Sequence, residues 1–166
     1  TRNEEKYLGD CINSIKAVVK RIVVVDSYSE DKTVDIAKEA GAEVYQHEFF
    51  NYSKQYKYAV KIAEVKTKWI LRIDADERLT EESAKELEEL CNQNMETDVS
   101  GIVLRFYNMF LGKPMLHGGM YPWKKLSVYK TEVGDIEDRN MDEHIILSEG
   151  RTIDAKKDSI HESFRG

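Results

Sequence analysis

The sequence predicts a single α/β domain in which helices flank a mixed sheet. Up to about residue 95, amphipathic helical patterns alternate with short β-branched runs, which is typical of a parallel sheet covered by helices. Beyond that point, longer strand-like runs separated by glycine and proline indicate antiparallel strands. A run of carboxylates directly follows the predicted strand at 69–73. In open α/β sheets this is where ligands bind, so we place the candidate site there.

Length and composition agree with one folded domain. The chain has 166 residues, of which 41% are hydrophobic and 34% charged, as in ordinary globular proteins. We divide it into a half at 1–95, where helical and strand patterns alternate, and a half at 96–166, where longer strand-like runs follow one another. A net charge of -6 argues against nucleic acid as a partner. It also means that an anionic ligand would need a local cation or a few placed basic side chains.

The two cysteines, Cys11 and Cys91, each lie in a helix-like pattern, so the sequence predicts buried thiols rather than a disulfide or a thiolate metal site. There is no apolar run near the ~20 residues that a membrane span needs, and no signal-peptide pattern. We therefore expect a cytoplasmic location.

The first predicted helix begins at an Asn3 cap, because acidic residues follow it and apolar residues recur at helical spacing up to residue 19. A β-branched run at 21–26 predicts a buried strand that ends in Asp26. A short helix at 33–40 follows, and Gly41 ends it. Because an α/β sheet of this kind normally begins with a strand, we expect that the first strand is missing and that the chain is truncated at one or both ends.

A weaker strand at 42–45 precedes a third helix, for which Ser53 is the predicted cap. The strand at 69–73 comes next, and a fourth helix is predicted to begin at Thr80. The second half contains two long predicted strands, at 99–110 and 125–130.

The residues Asp74-Ala75-Asp76-Glu77, which we call the acidic turn, form the candidate metal site. Carboxylates one residue apart in a loop can converge on a hard divalent cation, and the small Ala75 leaves room for a ligand. A diphosphate held through such a cation would meet the charge requirement of an acidic protein. A plain polar turn is the alternative for an isolated motif of this kind. A calcium loop is disfavoured, because it would need glycine near position 78, where Arg78 stands. A haloacid-dehalogenase phosphatase is disfavoured, because it would need threonine or valine in place of Arg78.

Three ordered blocks resemble the family 2 inverting glycosyltransferases of the GT-A fold. The blocks are Thr1-Arg2-Asn3-Glu4-Glu5, Val24-Val25-Asp26-Ser27-Tyr28-Ser29-Glu30-Asp31-Lys32-Thr33 and the acidic turn. The resemblance extends to Phe50, Tyr52 and Gln55, and to Met141-Asp142-Glu143-His144 followed by Gly150 and His161. It is closest to bacterial enzymes that build lipopolysaccharide cores and other surface polysaccharides.

The resemblance implies a nucleotide-diphosphate sugar as the donor, with 1–95 as the nucleotide-binding half of the domain and 96–166 as the acceptor-side half. The residues implied to bind it are Thr1, Asn3, Glu5, Asp26, Lys54, Asp74 and Ala75. The first three would lie against the base and ribose, and Asp26, held at a strand end, suits a hydrogen bond to either. Lys54, Lys124 and Lys125 could meet phosphate, with solvated surface charge as the alternative for each.

The resemblance also implies Mg²⁺ or Mn²⁺ as cofactor. Asp76 would bind the cation directly, Asp74 would contact metal or ribose, and His161 would complete the metal contacts from the carboxyl-terminal side. For His161, a packing role is the alternative. An inverting transfer needs one carboxylate to take the acceptor proton. The candidates are Asp142 and Glu143, and we favour Glu143.

The predicted function is metal-dependent, inverting transfer of a sugar to a saccharide or lipid-linked acceptor in cell-envelope polysaccharide synthesis, such as lipopolysaccharide biosynthesis. A lipid-linked acceptor would bring the enzyme into peripheral contact with the inner face of the plasma membrane. The alternative is a non-catalytic module that binds nucleotide sugar or polysaccharide. A nucleotidyltransferase is disfavoured, because no glycine-rich phosphate loop lies near the amino terminus. Trp123 either stacks on an acceptor sugar or covers the core. Donor sugar, base, acceptor and oligomeric state stay open.

Overall fold

The computed structural model describes residues 1–138 and 144–162. Within these ranges the chain forms four α-helices and ten β-strands. The helices are α1 (Leu8–Ile15), α2 (Thr33–Glu39), α3 (Tyr52–Ala63) and α4 (Glu81–Gln93). The strands are β1 (Val23–Asp26), β2 (Glu43–Gln46), β3 (Trp69–Leu71), β4 (Glu77–Arg78), β5 (Val99–Phe110), β6 (Lys113–Met115), β7 (Trp123–Lys130), β8 (Gly134–Ile136), β9 (Ile145–Leu147) and β10 (Arg151–His161).

The main sheet has six strands in the order β3-β7-β5-β10-β4, with β6 paired to β5. Strand β10 runs parallel to β5, and the other neighbours are antiparallel. Strands β1 and β2 form a separate parallel pair, and β8 and β9 pair antiparallel. The predicted α/β fold with a mixed sheet is confirmed. The strand before the acidic turn is half-buried rather than buried, because β3 lies at one end of the described sheet.

The core lies between the sheet and helices α1 and α4. Its largest cluster includes Ile15 of α1, Leu87 of α4 and three β5 residues, Ile102, Leu104 and Phe106. Burying each such side chain contributes roughly 1.5–3 kcal/mol. Strand β5 is therefore fixed along its length by packing, and it carries the residues at its carboxyl end into the candidate site. Both cysteines are free thiols, and Cys11 is buried as predicted, whereas Cys91 is only half-buried. Among the described residues, no helix combines the length and apolar character that crossing a bilayer requires.

The predicted start of the first helix is wrong. Helix α1 begins at Leu8, and Asn3 lies before it with a left-handed φ of 52°. The Asn3 side chain accepts a hydrogen bond from the Glu30 N–H, and the Asn3 N–H donates to the Ser29 hydroxyl. These contacts with another loop replace the local capping bond that the sequence pattern suggested.

The cap of the third helix is also corrected. Asn51 caps α3, because its side chain accepts a hydrogen bond from the Lys54 N–H at 2.8 Å. Ser53, the predicted cap, is fully buried inside the first turn. Helix α4 is capped by Thr80 as predicted, and Thr80 forms a reciprocal capping box with Ser83.

Candidate functional site

The acidic turn is closed by hydrogen bonds between its first and last residues. The Asp74 N–H donates to Glu77 Oε1 at 2.8 Å, and the Glu77 N–H donates to the Asp74 carbonyl at 2.9 Å. Helix α1 supports the same carbonyl through the Cys11 thiol at 3.5 Å. The Glu77 side chain is only 1% exposed, whereas that of Asp74 is 53% exposed. The turn is therefore held from inside the protein while its first carboxylate faces solvent.

The ammonium group of Lys125 lies beneath the acidic turn. Its Nζ is 3.0 and 3.3 Å from the two Glu77 carboxylate oxygens and 3.2 Å from Asp74 Oδ2. The antiparallel register of β3 and β7 explains this position, because it pairs Leu71 with Val128 and, continued along both strands, brings Asp74 opposite Lys125. Burial works to lower the pKa of Lys125, but the charges of Glu77 and Asp74 outweigh it and raise the pKa. Lys125 is thus a charged group at neutral pH.

Asp76 and His161 meet on the other side of the turn. Asp76 Oδ2 lies 3.3 Å from His161 Nε2. Pairing of β4 with β10 sets this contact, since His161 is the register partner of Glu77 and the Glu162 N–H donates to the Asp76 carbonyl at 2.9 Å. The structure therefore brings together two of the three residues predicted to bind metal. The third, Asp74, directs its carboxylate to Lys125 instead.

Asn108 fixes the orientation and tautomer of the His161 ring. Its Oδ1 lies 3.1 Å from both His161 Nδ1 and Trp123 Nε1. The Trp123 indole nitrogen can only donate, so the Asn108 atom that faces it must be the amide oxygen and not the amide nitrogen. The same oxygen faces His161 Nδ1, so it accepts a hydrogen bond from that ring as well. His161 Nδ1 then carries the proton, and the neutral ring presents the lone pair of Nε2 to Asp76. Two electron-rich atoms facing each other at 3.3 Å call for a positive charge between them.

Either a proton or a metal cation satisfies that requirement. Burial lowers the pKa of His161, but the hydrogen bond and charge of Asp76 outweigh this effect, so the pKa lies above its ordinary value. Carboxylate oxygen with imidazole nitrogen is also a donor set that Mn²⁺ and related divalent ions accept. Across residues 1–138 and 144–162, no group of three or more His, Cys, Asp or Glu side chains is arranged to hold an ion. Asp76 and His161 would thus supply two ligands to such a cation.

Asp26 lies at the end of β1, where it is fully buried. Its carboxylate accepts hydrogen bonds from the Ser29 N–H at 2.8 Å, the Ser29 hydroxyl at 2.5 Å and the Thr1 hydroxyl at 3.1 Å. Burial alone would raise the pKa of Asp26, but the bonds from Ser29 outweigh it and lower the pKa. As placed, the carboxylate orders its loop and presents no exposed oxygen. Direct contact with a base or ribose stays a prediction, and it would require this loop to open.

Residues 1–7 precede α1 and form what we call the first loop, which begins beside Asp26. This loop carries three predicted nucleotide-binding residues: Thr1, Asn3 and Glu5. Thr1 pairs with the end of β1 through backbone hydrogen bonds. The Asn3 side chain accepts from the Glu30 N–H at 3.0 Å, and the Glu5 carboxylate accepts from the Lys32 N–H at 3.1 Å. The first loop and the 27–33 loop are therefore joined into one rim.

Ala75 is the residue of the acidic turn that packs against the elements carrying this rim. It is half-buried and packs against the cluster of Leu8, Ile12, Val24 and Ala37. The acidic turn is consequently anchored on α1 and β1, the same elements that carry the first loop. That Ala75 also leaves room for a ligand stays a prediction, because its side chain is only partly covered by its contacts with that cluster.

The three lysines predicted as possible phosphate ligands have different contacts in the structure. Lys54 is exposed on α3, with its ammonium 5.5 Å from the centroid of the Phe50 ring. Lys124 pairs with the exposed Asp154 at 3.0 Å. Only Lys125 of these lysines contacts the acidic turn, so the structure singles it out.

Sequence reasoning missed two residues of the site and left a third undecided. No local pattern distinguishes Asn108 from the other residues of its predicted strand. Glu77 belongs to an acidic run, and the sequence does not show that its side chain is buried. The Trp123 ring stacks on Phe106 with centroids 4.6 Å apart, and its edge meets His161 at 5.1 Å. Trp123 is thus part of the packing behind the site. A search for polar residues on strands next to the acidic turn would have found Asn108. The catalytic candidates Asp142 and Glu143 lie outside the described residues.

Comparisons with known proteins agree with this architecture. The model of the family "Glycosyl transferase family 2" matches residues 1–144. An uncharacterized glycosyltransferase of Rickettsia bellii (strain RML369-C) is 43% identical over 88 residues, which cover 53% of this chain and 29% of that protein. The crystal structure of Staphylococcus aureus TarS 1–349 superposes with a TM-score of 0.61 and 17% identity, covering 98% of this chain and 58% of that one.

A second solved structure is glucosyl-3-phosphoglycerate synthase from Mycobacterium tuberculosis in complex with Mn²⁺ and uridine-diphosphate-glucose. It has a TM-score of 0.50 and 18% identity, and covers 66% of this chain and 41% of that chain. The chain therefore matches less than two thirds of the length of each of these proteins. At these identities the solved structures show a shared fold.

Proposed function

Because the chain belongs to glycosyl transferase family 2 and has the GT-A fold, we propose that it transfers a sugar from a nucleotide-diphosphate donor with inversion. The observation that carries the proposal is the contact between Asp76 and His161 at the end of the acidic turn. Asn108 fixes the His161 tautomer so that Nε2 faces the carboxylate. This is a pre-oriented donor pair for a cation on a donor diphosphate.

We propose Mg²⁺ or Mn²⁺ as the cofactor, with Asp76 and His161 as its protein ligands. When bound, such a cation neutralises charge on the departing nucleoside diphosphate. The proposal is supported by the solved complex of the mycobacterial synthase, which has this fold and contains Mn²⁺ with uridine-diphosphate-glucose. The rim formed by the first loop and the 27–33 loop would hold the nucleoside, with Asp26 beneath it keeping both loops in place.

For the chemical step we propose Glu143 as the base, with Asp142 as the alternative. The carboxylate takes the proton of the acceptor hydroxyl while the oxygen of that hydroxyl attacks the anomeric carbon. The new bond to the acceptor oxygen forms as the bond to the diphosphate oxygen breaks on the opposite face. The nucleoside diphosphate leaves with that electron pair, so the anomeric configuration inverts. Replacing Glu143 by glutamine should lower kcat by about 100-fold or more, and Asp142→Asn should not.

The proposed acceptor is a saccharide or lipid-linked saccharide of the cell envelope, used at the inner face of the plasma membrane. This part of the proposal is supported by the resemblance of the three sequence blocks to enzymes of surface-polysaccharide synthesis. A panel of soluble and lipid-linked saccharides, assayed for labelled product, distinguishes these acceptor classes.

The test of the proposed function is turnover of nucleotide sugars with and without Mn²⁺. We expect hydrolysis or transfer of at least one donor, loss of turnover with chelator, and recovery when the ion is restored. Asp76→Asn should lose about 100-fold or more. Asp154→Asn is the matched control, because Asp154 is an exposed acid on the same sheet that pairs only with a surface lysine in the described structure.

Turnover without any metal, or an Asp76→Asn variant as active as the parent, would overturn the metal-dependent mechanism. Tight binding of a nucleoside diphosphate with no turnover of any donor would instead identify a non-catalytic nucleotide-sugar-binding module.

A further inference from the structure

Glu77, the buried last residue of the acidic turn, forms an ion pair with Lys125 on the protein side of the turn. We infer that Glu77 and Lys125 are positioning residues, which together hold the turn in the shape that presents Asp76 to His161. The inference deepens the proposed function and rests on it for its catalytic consequence. The effect of the pair on the shape of the turn does not depend on that function and can be tested without a ligand.

Glu77 contacts the first residue of the acidic turn from inside the protein. Its side chain is almost completely buried, so it is not placed to touch a substrate. One carboxylate oxygen accepts from the Asp74 N–H at 2.8 Å, and both oxygens meet the Lys125 ammonium at 3.0 and 3.3 Å. The carboxylate thus joins the start of the turn to its end. Removing it would leave a backbone donor and an ammonium group without this partner.

Lys125 also separates the carboxylates of the acidic turn. Asp74, Asp76 and Glu77 lie within four consecutive positions, where like charges repel. Lys125 contacts two of them and draws Asp74 Oδ2 to 3.2 Å. Asp76 is then the carboxylate directed to His161. Lys125 can do this because β7 is fixed against β3, as shown by the 2.8 Å bond from the Arg72 N–H to the Ser127 carbonyl.

The neighbouring Lys124 provides a matched control. Successive strand residues point to opposite faces of a sheet, so Lys124 and Lys125 face different surroundings. Lys124 pairs with Asp154 at 3.0 Å, and both of these side chains are about half exposed. A lysine-to-methionine change therefore removes the same charge and nearly the same volume at adjacent positions, but only one position contacts the acidic turn.

The experiment compares Lys125→Met, Glu77→Met and Lys124→Met with the parent chain, because methionine at 77 removes the acceptor of the Asp74 N–H as well as the charge. Amide hydrogen exchange at Asp74 and Glu77 needs no ligand and reports on the turn directly. We expect exchange at these amides to be at least about tenfold faster in the first two variants and unchanged in Lys124→Met. Mn²⁺ affinity in the presence of UDP, measured from the EPR signal of free Mn²⁺, should fall about 10–100-fold in the first two variants only.

Two further variants separate positioning from general loss of folding. Lys125→Arg keeps the charge and should retain Mn²⁺ affinity to within about tenfold. The double variant Glu77→Met/Lys125→Met leaves no buried charge unpaired, so its resistance to urea should recover relative to Lys125→Met. Its Mn²⁺ affinity should stay low, because the turn still lacks its support.

Equal amide exchange in Lys125→Met and Lys124→Met would overturn the inference, whatever the parent does with donors. Recovery of Mn²⁺ affinity together with stability in the double variant would also overturn it, because the pair would then matter only for folding. Faster exchange in Lys125→Met, in a parent that neither binds Mn²⁺ with UDP nor turns over a donor, would uphold the structural inference and refute the proposed function.

Discussion

Replacing Asn108 by leucine removes the acceptor that orients His161 while keeping a side chain of similar size. Asn108 is 4% exposed, and its Oδ1 receives two N–H groups at 3.1 Å. A fully buried donor left unpaired costs about 1–3 kcal/mol. The His161 side chain is 23% exposed and Trp123 is half-buried, so each loss should fall at the lower end of that range. We expect the free energy of unfolding to drop by about 2 kcal/mol in total.

The same substitution should weaken metal binding. Without the Asn108 acceptor, His161 no longer has a partner that keeps its proton on Nδ1 and its Nε2 lone pair toward Asp76. Loss of such an outer-shell partner commonly lowers metal affinity by about 10–100-fold. We expect a decrease of that size in Mn²⁺ affinity measured with UDP present.

Urea unfolding followed by tryptophan fluorescence measures the first effect, and titration with Mn²⁺ measures the second. Asn108→Asp is the control, because it keeps an oxygen that accepts from both rings and should stay close to the parent in Mn²⁺ affinity. The reasoning is refuted if Asn108→Leu stays within about 0.5 kcal/mol of the parent in stability and within about twofold in Mn²⁺ affinity.

Three further outcomes follow from the structure. Gly150→Ala should destabilise the fold by more than Gly41→Ala, because both have positive φ but only at Gly150 would an added Cβ lie 2.5 Å from a neighbouring atom; urea titrations of the two variants compare them. The Asp26 carboxylate, whose pKa is lowered in the folded protein, should stabilise the fold above its unfolded pKa of about 3.9. Its contribution is lost as the pH falls through the folded pKa, so the difference in free energy of unfolding between the parent and Asp26→Asn should be constant from about pH 8 to 5 and shrink below about pH 4. Burial raises the pKa of both cysteine thiols to about 12, so neither should react with a disulfide reagent at about pH 8 until the chain is unfolded, and rapid reaction of the native protein would contradict their placement.

Local patterns in the sequence predicted the secondary structure well where packing and periodicity agree. The strand at 99–110 and the Thr80 cap appear as expected, because a long strand-like run and a helix cap are both visible in the local sequence. The caps at Asn3 and Ser53 were wrong for a common reason. Both side chains have polar partners in distant loops, and such partners are set by tertiary structure.

The candidate site divides in the same way. That Asp76 follows a strand was visible in the sequence, and family resemblance suggested His161. The Asp76–His161 contact depends on β10 running between β5 and β4, an order that no local pattern specifies. Lys125 gains its role from the register of β7 with β3, and Asn108 from its place on β5 beside β10. Residues whose function comes from strand order are those that sequence reasoning could not single out.

The most direct test of the central claim is the nitrogen coupling of protein-bound Mn²⁺ in the presence of UDP, measured by pulsed EPR. We expect modulation from one histidine nitrogen that disappears in His161→Gln, with weaker Mn²⁺ binding in Asp76→Asn. The control is His117→Gln, in which the modulation should persist, because His117 is an exposed residue of the segment between β6 and β7. Bound Mn²⁺ without histidine coupling, or coupling that survives in His161→Gln, would contradict a cation held between Asp76 and His161.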